Sequence, residues 1–410
     1  MTGDRESNEN RITRGLESGN ERTERTGRAR TPTKEHVRVL VDPEGFLYER
    51  TGGARYCVAV CHGLRAAGVQ LDVPLIASGT SFEPGRFRLD RYRAWPRRLQ
   101  WLRRELRWRS VLLSRRLFHH RLAHGNHDVT FLISWNYDTE IVAYRHRAPY
   151  VMVCHDTMRS LTIPAGALDS SPDALHRQLY FARRAARVVC VSEATRRDLL
   201  SSVSIPEERA VVVPTANLLP LFATTGAPVP GLPPAYFAFI GARQARKNFD
   251  GTVRALVPLL TRPGGPSLVA TGRLDLWERD LVNDLGVADR VLGIDVDDAQ
   301  LVTLYEQAIG LLYPSFYEGF GLPVLEAMSL GCPVVTSSVS SLPEVAGDAA
   351  LLVNPADYAA LLQAAERLVN EPELRVSLAG AGRARAAQFS LDRMMRGLLE
   401  QLHAAAATRA

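Results

Sequence analysis

The chain has 410 residues, and 46% of them are hydrophobic, which is enough apolar surface for two domains that each have a core. Its formal net charge of +6 is carried almost wholly by arginine, because Lys34 and Lys247 are the only lysines. No apolar run approaches the roughly 18 to 20 residues of a membrane-spanning helix, and residues 1–35 lack the apolar segment of a signal peptide. We therefore expect a cytoplasmic protein with a disordered polar tail at residues 1–35.

The cysteines show no spacing that is typical of a zinc site. They are Cys57, Cys61, Cys154, Cys190 and Cys332. Cys57 and Cys61 lie one helical turn apart, which would suit either a redox pair or two core residues, and core packing is the favoured interpretation. Reduced, buried thiols are expected.

Short apolar segments alternate with helical stretches in the first half of the chain, at residues 37–41, 69–76, 129–133, 150–154, 188–191 and 210–213. Such alternation predicts a parallel sheet covered by helices. A stretch rich in proline and glycine follows at residues 219–234 and predicts a linker. The alternation then resumes at residues 236–240, 267–270, 290–294, 309–313, 333–336 and 350–353. Two Rossmann-like halves are predicted, with a ligand cleft between them.

Two glycines, Gly52 and Gly53, follow the first predicted strand in the segment YERTGGARY. They would let the backbone approach a phosphate or a sugar from one wall of the cleft, and a plain turn is an equal alternative.

A basic and aromatic stretch begins at Arg86 and ends at Arg121. It holds thirteen arginines and two acidic residues, Asp90 and Glu105, interleaved with tryptophan, tyrosine and phenylalanine. A helix of this composition suits an anionic membrane surface, a solvated helical face or, least favoured, a nucleic acid.

The second half begins with a glycine turn and cations. Gly241 follows the strand at residues 236–240, and the sequence GARQARKN continues through Arg243, Arg246 and Lys247. Fixed positive charge at a strand end stabilises a departing diphosphate, so this loop is predicted to hold one. The alternative is a solvent-facing basic loop.

The most informative segment is SFYEGFGLPVLE at residues 315–326. Gly319 and Gly321 let a ligand approach the backbone, and Pro323 suits the first turn of a helix that starts near Leu322. The free N–H groups at that helix start favour a diphosphate. Glu326, one turn inside the helix, is placed to accept hydrogen bonds from ribose hydroxyls, whereas Glu318 projects from the turn toward the sugar.

The pair Glu318 and Glu326 resembles the E-x7-E motif of family 4 retaining glycosyltransferases, which have the GT-B fold. The likeness extends over roughly residues 36–400. It implies a first domain at residues 36–218, a linker at 219–234, a nucleotide-sugar domain at 235–388 and a last helix, at 389–410, that crosses back to the first domain.

The resemblance also implies the site residues. The catalytic set is Glu318, Lys247, Arg246 and His155, and the donor-binding set is Gly52, Gly53, Gly241, Arg243, Gly319, Phe320, Gly321, Leu322 and Glu326. His155 and Asp156 match the family's HD pair at the end of the strand at residues 150–154. His155 is expected beside the transferred sugar, and Asp156 is expected to cap the next segment.

Three further segments resemble family features. Ser192 is predicted to cap a helix, and Arg196 is a weaker candidate for the cleft. Glu344 either reaches the nucleotide or supports its loop. Asp295, Val296 and Asp297 spell the DxD metal motif of the other large glycosyltransferase fold, but Asp297 and Asp298 precede a helical pattern and are interpreted as N-caps.

The function that the resemblance implies is transfer of a hexose, with mannose favoured, from a GDP-, UDP- or dTDP-sugar to an acceptor hydroxyl with retention of configuration. No metal or other cofactor is expected. The acceptor would be a sugar or a lipid-linked molecule in surface polysaccharide or glycolipid synthesis, and the enzyme a cytoplasmic protein peripheral to the inner face of the plasma membrane. No nucleic-acid partner is expected. The alternatives are a non-catalytic nucleotide-sugar-binding scaffold and a nucleotide-sugar epimerase on the same fold.

Overall fold

A computed structural model describes residues 37–43, 46, 52–74, 100–133, 148–157 and 172–408, with side chains except those of 100–111, 172–174 and 177. All of these lie in one unit, Pro32–Arg409. The predicted tail at residues 1–35 and the first part of the basic stretch, residues 86–99, lie outside the described residues.

The first half is built on a parallel sheet with the order β2-β1-β3-β4-β5-β6. The strands are β1 (Arg38–Val41), β2 (Gln70–Asp72), β3 (Val129–Leu132), β4 (Tyr150–Cys154), β5 (Arg187–Cys190) and β6 (Ala210–Val212). β3 and β4 are buried at every residue. Burial on both faces explains why the sequence of these strands is apolar without alternation.

The described helices of the first half are α1 (Gly52–Ala66), α2 (Gln100–His124), α3 (Pro172–Arg184) and α4 (Glu193–Ser202), with a short 3₁₀ helix at Glu207–Arg209. Ser192 caps α4 as predicted, since its side chain accepts a hydrogen bond from the Thr195 N–H. This cap fixes the start of α4 at the carboxyl edge of the sheet, directly after β5.

The second half has a parallel sheet with the order β12-β11-β10-β7-β8-β9. Its strands are β7 (Tyr236–Phe239), β8 (Ser267–Thr271), β9 (Val291–Ile294), β10 (Gly310–Tyr313), β11 (Val334–Ser337) and β12 (Leu351–Val353). The strand order reverses at β7, whose neighbours are β8 and β10. Ligands of open α/β sheets bind at such a switch point, so the loops after β7 and β10 lie where a site is expected.

The described helices of the second half are α5 (Phe249–Leu260), α6 (Leu276–Asp284), α7 (Asp298–Glu306), α8 (Leu322–Leu330), α9 (Leu342–Ala346), α10 (Tyr358–Asn370), α11 (Pro372–Ala386) and α12 (Leu391–Ala407). Two 3₁₀ helices accompany them, at Leu219–Leu221 and Ala245–Lys247. α8 begins at Leu322, as the glycine and proline pattern predicts.

The last helix, α12, packs on α1 and on strands β3, β4 and β5 of the first half. Small residues allow this close approach. A Cβ added at Gly63 of α1 would lie 2.7 Å from Met395 Sδ, and one added at Gly397 would lie 2.9 Å from a Val213 methyl carbon. The C-terminal helix therefore packs into the core of the first half, although it follows the second half in sequence.

The cysteines are all unpaired thiols and all buried, as predicted. Burial raises the pKa of Cys57 and of Cys61, which disfavours the thiolate that redox chemistry needs. Core packing is therefore the better account of this pair. No helix in the described ranges combines the length and the apolar character that crossing a bilayer requires.

Candidate active site

The loops after β7 and β10 meet at the switch point of the second sheet. The Phe316 N–H donates to the carbonyl oxygen of Arg246 at 2.7 Å, which ties one loop to the other. The first loop is shaped by a 3₁₀ turn at Ala245–Lys247 that ends at Asn248, a left-handed residue whose side-chain amide donates to the Pro355 carbonyl at 2.8 Å. The loop GARQARKN and the segment SFYEGFGLPVLE are thus brought together, as predicted.

Glu318, Lys247 and Arg246 form a buried charge cluster. Lys247 Nζ lies 2.8 Å from Glu318 Oε1, and a terminal nitrogen of Arg246 lies 3.2 Å from the same oxygen. The Tyr313 hydroxyl donates to this oxygen at 2.9 Å and is also hydrogen-bonded to Lys247. Because Glu318 and Lys247 are each only 8% exposed, the attraction between their charges is little screened by water.

The cluster keeps Glu318 ionised. Burial alone would raise the pKa of the carboxyl, but the charges of Lys247 and Arg246 outweigh it and lower the pKa of Glu318 to about 2. Burial lowers the pKa of Lys247, and Glu318 opposes that effect. A carboxylate of this kind accepts hydrogen bonds or faces developing positive charge, and it does not serve as a proton donor near neutral pH.

Arg246 has an unused donor in this cluster. One terminal nitrogen donates to the Tyr317 carbonyl at 3.1 Å, whereas its buried Nε has no hydrogen-bond partner among the described residues. Buried donors are nearly always satisfied, so an orphaned N–H of an arginine in a site suits an anionic ligand.

The start of α8 lies next to the cluster of Glu318, Lys247 and Arg246, since Leu322 follows Glu318 by four residues. Gly321 is its N-cap and has φ 105°, a conformation that L side chains rarely adopt. Among the described residues, the N–H groups of Phe320, Gly321 and Leu322 have no hydrogen-bond acceptor. Gly52, at the start of α1, lies against Leu322, because an added Cβ would come within 3.2 Å of Leu322 Cδ1. Gly53 is the next residue of α1 and is exposed.

Glu326 lies one turn inside α8 and is 3% exposed. The Tyr305 hydroxyl donates to its Oε2 at 2.9 Å, and a terminal nitrogen of Arg55 donates to its Oε1 at 3.2 Å. Burial raises the pKa of Glu326, while Arg55 and Tyr305 act in the opposite direction. Arg55 comes from α1 of the first half, and the sequence analysis missed it. Its signal was a charged residue two positions after the Gly-Gly pair, at the start of a helix that is otherwise largely apolar.

Gly319 lies in close contact with the first half. A Cβ added there would lie 1.6 Å from the carbonyl oxygen of His155. The Gly319 carbonyl accepts hydrogen bonds from Ser192, the N-cap of α4, at 2.7 Å and from Thr195, in its first turn, at 2.9 Å. Only glycine fits between these groups, which explains why a glycine follows Glu318 in the E-x7-E motif.

His155 lies directly after β4, where it was predicted. Its Nε2 is 2.9 Å from the Ile133 carbonyl, an acceptor, so Nε2 carries the proton. Burial lowers the pKa of His155, which favours the neutral ring. Nδ1 of that tautomer is a hydrogen-bond acceptor, and the Tyr56 ring packs edge-on against the imidazole at 4.8 Å. The ring is therefore oriented, with one nitrogen left to accept from a hydroxyl.

Asp156 lies beside the Glu318 cluster. Burial raises its pKa to about 6, against the effect of Arg246, and the charges of Glu318 and Lys247 also reach it. Its Cβ lies 3.1 Å from the position of a Cβ on Gly319. Asp156 therefore borders the Glu318 cluster from the first half, and the segment that it was predicted to cap, from residue 158, lies outside the described residues.

Two predicted cations, Arg243 and Arg196, are held by protein groups. Arg243, expected to assist the diphosphate, is held by the buried Glu278 carboxylate and by the carbonyls of Thr271 and Arg273. It braces the loop within its own half. Arg196, a weaker candidate for the cleft, donates to the Ala210 carbonyl at 2.8 Å and pairs with Glu207.

The aspartates of the DxD-like segment are each accounted for without a metal. Asp297 caps α7 and forms a capping box with Gln300, as predicted. Asp298 was interpreted as a cap too, but its carboxylate pairs with Arg55 instead. Asp295 pairs with Arg273 at 3.2 Å. In the described ranges, no three His, Cys, Asp or Glu side chains come together as metal ligands would.

Glu344 binds the first half, an outcome that the sequence left open. Its carboxylate accepts from the N–H groups of Glu193 at 3.0 Å and Ala194 at 3.2 Å, at the start of α4. Tyr317 adds a second contact between α4 and the second half, because its hydroxyl donates to Asp198 of α4 at 3.0 Å. The α4 N-terminus thus holds both the Gly319 turn and α9.

Comparison with known proteins gives two family matches. A model described as "Glycosyl transferases group 1" matches residues 229–385, and one described as "Glycosyltransferase Family 4" matches residues 50–216. The first covers the loops of the charge cluster, and the second covers α1, β4 and α4.

The curated relatives include proteins that are mannosyltransferases by name. The O-antigen chain mannosyltransferase B of Escherichia coli is 36% identical over 50% of this chain and 57% of its own length. The MMP alpha-(1->4)-mannosyltransferase of Mycolicibacterium hassiacum is 29% identical over 50% of this chain and 51% of its own. The chain therefore spans about half the length of these relatives.

Solved structures share the fold over most of the chain. The sucrose-phosphate synthase of Thermosynechococcus elongatus has a TM-score of 0.67 at 20% identity, covering 88% of this chain and 97% of that one. Anabaena HepE, solved with UDP-glucose, has a TM-score of 0.63 at 16% identity, covering 89% and 98%. The two parallel six-stranded sheets and the fold likeness confirm the GT-B prediction, and with the family matches they show that the chain belongs to the group 1 glycosyltransferases.

Proposed function

We propose that the chain transfers a hexose, mannose in the first instance, from a nucleoside diphosphate sugar to an acceptor hydroxyl, with retention of configuration. The observation that carries the proposal is the buried cluster of Glu318, Lys247 and Arg246 at the switch point of the second sheet, beside the unpaired N–H groups that start α8. The mannosyltransferase names of the relatives support the choice of sugar.

The diphosphate would lie between the cations and α8. The departing nucleoside diphosphate gains negative charge, which Lys247, Arg246 with its orphaned Nε, and the helix N-terminus would stabilise. Glu318 already forms ion pairs with Lys247 and Arg246. The phosphates of the donor would therefore share these two cations with the Glu318 carboxylate. We propose that this sharing turns Glu318 toward the sugar ring, where it accepts hydrogen bonds from hydroxyls and faces the positive charge that develops there.

In the proposed reaction, the bond between the sugar C1 and the phosphate oxygen breaks and the acceptor oxygen bonds to C1 on the same face. The acceptor's proton passes to the leaving phosphate, so no enzyme nucleophile is required. His155 Nδ1 accepts a hydrogen bond from a sugar hydroxyl, and Glu326 accepts from the ribose. The cationic loop supplies the charge that a metal would otherwise provide, and we expect no metal requirement.

The test is an assay of nucleoside diphosphate release. GDP-mannose, UDP-glucose and dTDP-rhamnose would each be offered with sugar and lipid-linked acceptors, with and without EDTA. We expect release with one donor series, dependent on acceptor and unaffected by EDTA, and NMR of the product should show the donor's anomeric configuration. Binding without release would favour the scaffold, and an isomerised sugar without acceptor would favour the epimerase.

We further propose that the stretch between Arg86 and Arg121 places the enzyme on an anionic membrane that presents a lipid-linked acceptor for surface polysaccharide or glycolipid synthesis. In the described part of this stretch, Leu112 and Leu113 of α2 are 38% and 46% exposed, and Arg116 is exposed beside them. Apolar and cationic groups side by side suit an anionic interface. Sedimentation with phosphatidylglycerol vesicles, but not with phosphatidylcholine vesicles, is expected; equal binding to both would contradict the proposal.

A further inference from the structure

Arg55 connects the first half to two acidic residues of the second. One terminal nitrogen lies 3.2 Å from Glu326 Oε1, and the other pairs with Asp298 at the start of α7. The guanidinium also lies over the ring of Phe222, in the connection between the halves, at 5.7 Å. The side chains of Arg55 and Glu326 are 18% and 4% exposed, so their pairing is largely removed from water.

The charge of Glu326 depends on this contact. A buried carboxylate without a cation tends to take up a proton instead of staying ionised. The titratable groups that face Glu326 are Arg55 from α1 and Tyr305 and Asp298 from α7. Arg55 is the one cation among them, whereas Asp298 favours the protonated form. Tyr305 donates a hydrogen bond but carries no positive charge.

The two contacts of Glu326 do not use the full hydrogen-bonding capacity of its carboxylate. A carboxylate has about four acceptor sites, and at Glu326 one is taken by Arg55 and one by Tyr305. An ionised Glu326 therefore retains acceptor sites for hydroxyl donors. A protonated Glu326 would lose part of that capacity and would gain an O–H donor with no acceptor.

We propose that Arg55 is a positioning residue: by docking on Glu326 when the two halves meet, it holds that carboxylate ionised and oriented to accept the hydroxyls of the donor's ribose. Asp298 orients Arg55 from its more exposed side. The inference rests on the proposed function, in which Glu326 binds ribose. Its consequence is that recognition of the nucleotide by the second half requires a side chain of the first.

The experiment measures how well the protein discriminates a ribose hydroxyl. Calorimetric titrations compare GDP with 3′-deoxy-GDP, or the corresponding UDP pair if the donor assay selects UDP, from pH 6 to pH 9. A hydrogen bond to a charged group contributes about 1.5 to 3 kcal/mol, so the wild-type protein should prefer the ribonucleotide by roughly 10- to 100-fold across this range.

Arg55→Gln should reduce this preference to about threefold or less at pH 6. The preference of this variant for the ribonucleotide should recover as the pH rises, because a Glu326 with no cation beside it ionises only at higher pH. Arg55→Lys should retain an intermediate preference, since it restores the charge without the forked geometry. Asp298→Asn removes a partner that orients Arg55 and also a charge that favours the protonated form of Glu326. Any loss of preference in this variant should therefore be smaller and should not depend on pH, and the variant tests the contact if an Arg55 variant fails to fold.

The control is Arg38→Gln, which removes an ion pair with Asp128 inside the first half and should leave the preference unchanged. A preference in Arg55→Gln equal to that of the wild type at every pH would overturn the inference. So would an equal loss of affinity for both nucleotides, because that marks a purely structural ion pair. A wild-type protein that binds both nucleotides equally well would also overturn it while leaving donor binding intact. Binding of neither nucleotide would instead remove the proposed function itself.

Discussion

The second half assembles its charged groups from its own loops, whereas the first half acts on those loops through contacts. Lys247, Arg246 and Glu318 all belong to the two loops at the switch point of the second sheet. At the facing edge, Ser192 holds the Gly319 carbonyl and Arg55 holds Glu326. The difference indicates that Glu318 and its two cations come from one half and that contacts from the other half position their loops.

Among the changes in the second half, removal of the Glu318 charge should reduce the rate of transfer most. We expect Glu318→Gln to slow transfer by about 10³-fold, because the sugar loses a charged partner in the transition state. Nucleoside diphosphate affinity should stay the same or increase, since Lys247 and Arg246 lose a competing anion. Steady-state kinetics and calorimetry measure the two effects separately.

Glu373→Gln is the matched control, because Glu373 is exposed on α11. Full transfer activity in Glu318→Gln would contradict the proposed role of the carboxylate. A parallel loss of nucleotide affinity and activity would contradict the competition between Glu318 and the phosphates.

The same cluster should make the protein sensitive to acid. The pKa of Glu318 is about 2 in the folded protein against an ordinary 4.5, so its ionised form favours folding above pH 4.5, and that stabilisation is lost as the pH falls toward 2. Linkage makes this contribution roughly 3 kcal/mol near neutral pH, with about 2 kcal/mol of it gone by pH 3. Urea unfolding of wild type and Glu318→Gln at pH 5 and pH 3 measures it. A stability difference between the two proteins that is the same at both pH values would show that Glu318 titrates normally.

The sequence predicted the site of the second half more completely than that of the first, for a physical reason. Local chemistry fixes the start of α8, since Gly321 and Pro323 each have a strong backbone preference. Short loops after neighbouring parallel strands must meet at one sheet edge, so the approach of Lys247 to Glu318 followed from strand order.

Contacts between the halves lack any such local signal. The pairing of Arg55 with Glu326 joins residues that are 271 positions apart, and that of Glu344 with Glu193 joins residues 151 apart. Nothing in a helix start reveals which distant carboxylate will face it. For the same reason the sequence did not reveal the pairing of Arg243 with Glu278, because Glu278 lies on a helix whose packing against the loop is a tertiary property.

A substitution at Gly319 tests how closely the halves must approach. Gly319→Ala places a Cβ 1.6 Å from the His155 carbonyl oxygen, so the turn or the halves must move apart. A displacement of this order in a catalytic site can reduce activity by about 10²-fold, and we expect that loss in the rate of transfer. The melting temperature should change little if the halves separate locally and each core stays packed.

Gly380→Ala is the matched control, because Gly380 lies in α11 with nothing within 4 Å of an added Cβ. It should keep full activity and, as a helical alanine, add up to about 1 kcal/mol of stability. Wild-type activity in Gly319→Ala would show that the close approach is unnecessary for transfer.

The smallest expected effect concerns Glu344, which places a negative charge at the N-terminus of α4 across the boundary between the halves. Glu344→Gln keeps the shape of the side chain and removes the charge, so the loss should be about 1 kcal/mol, or roughly fivefold in the KM for the donor. Asp357→Asn is the comparison, because Asp357 caps α10 inside the second half through the Ala360 N–H. Both variants should lower the melting temperature slightly, but only Glu344→Gln should raise KM. If Asp357→Asn raises KM equally, the effect is one of general stability, and the contact of Glu344 with α4 has no separate part in bringing the first half onto the charged loops of the second.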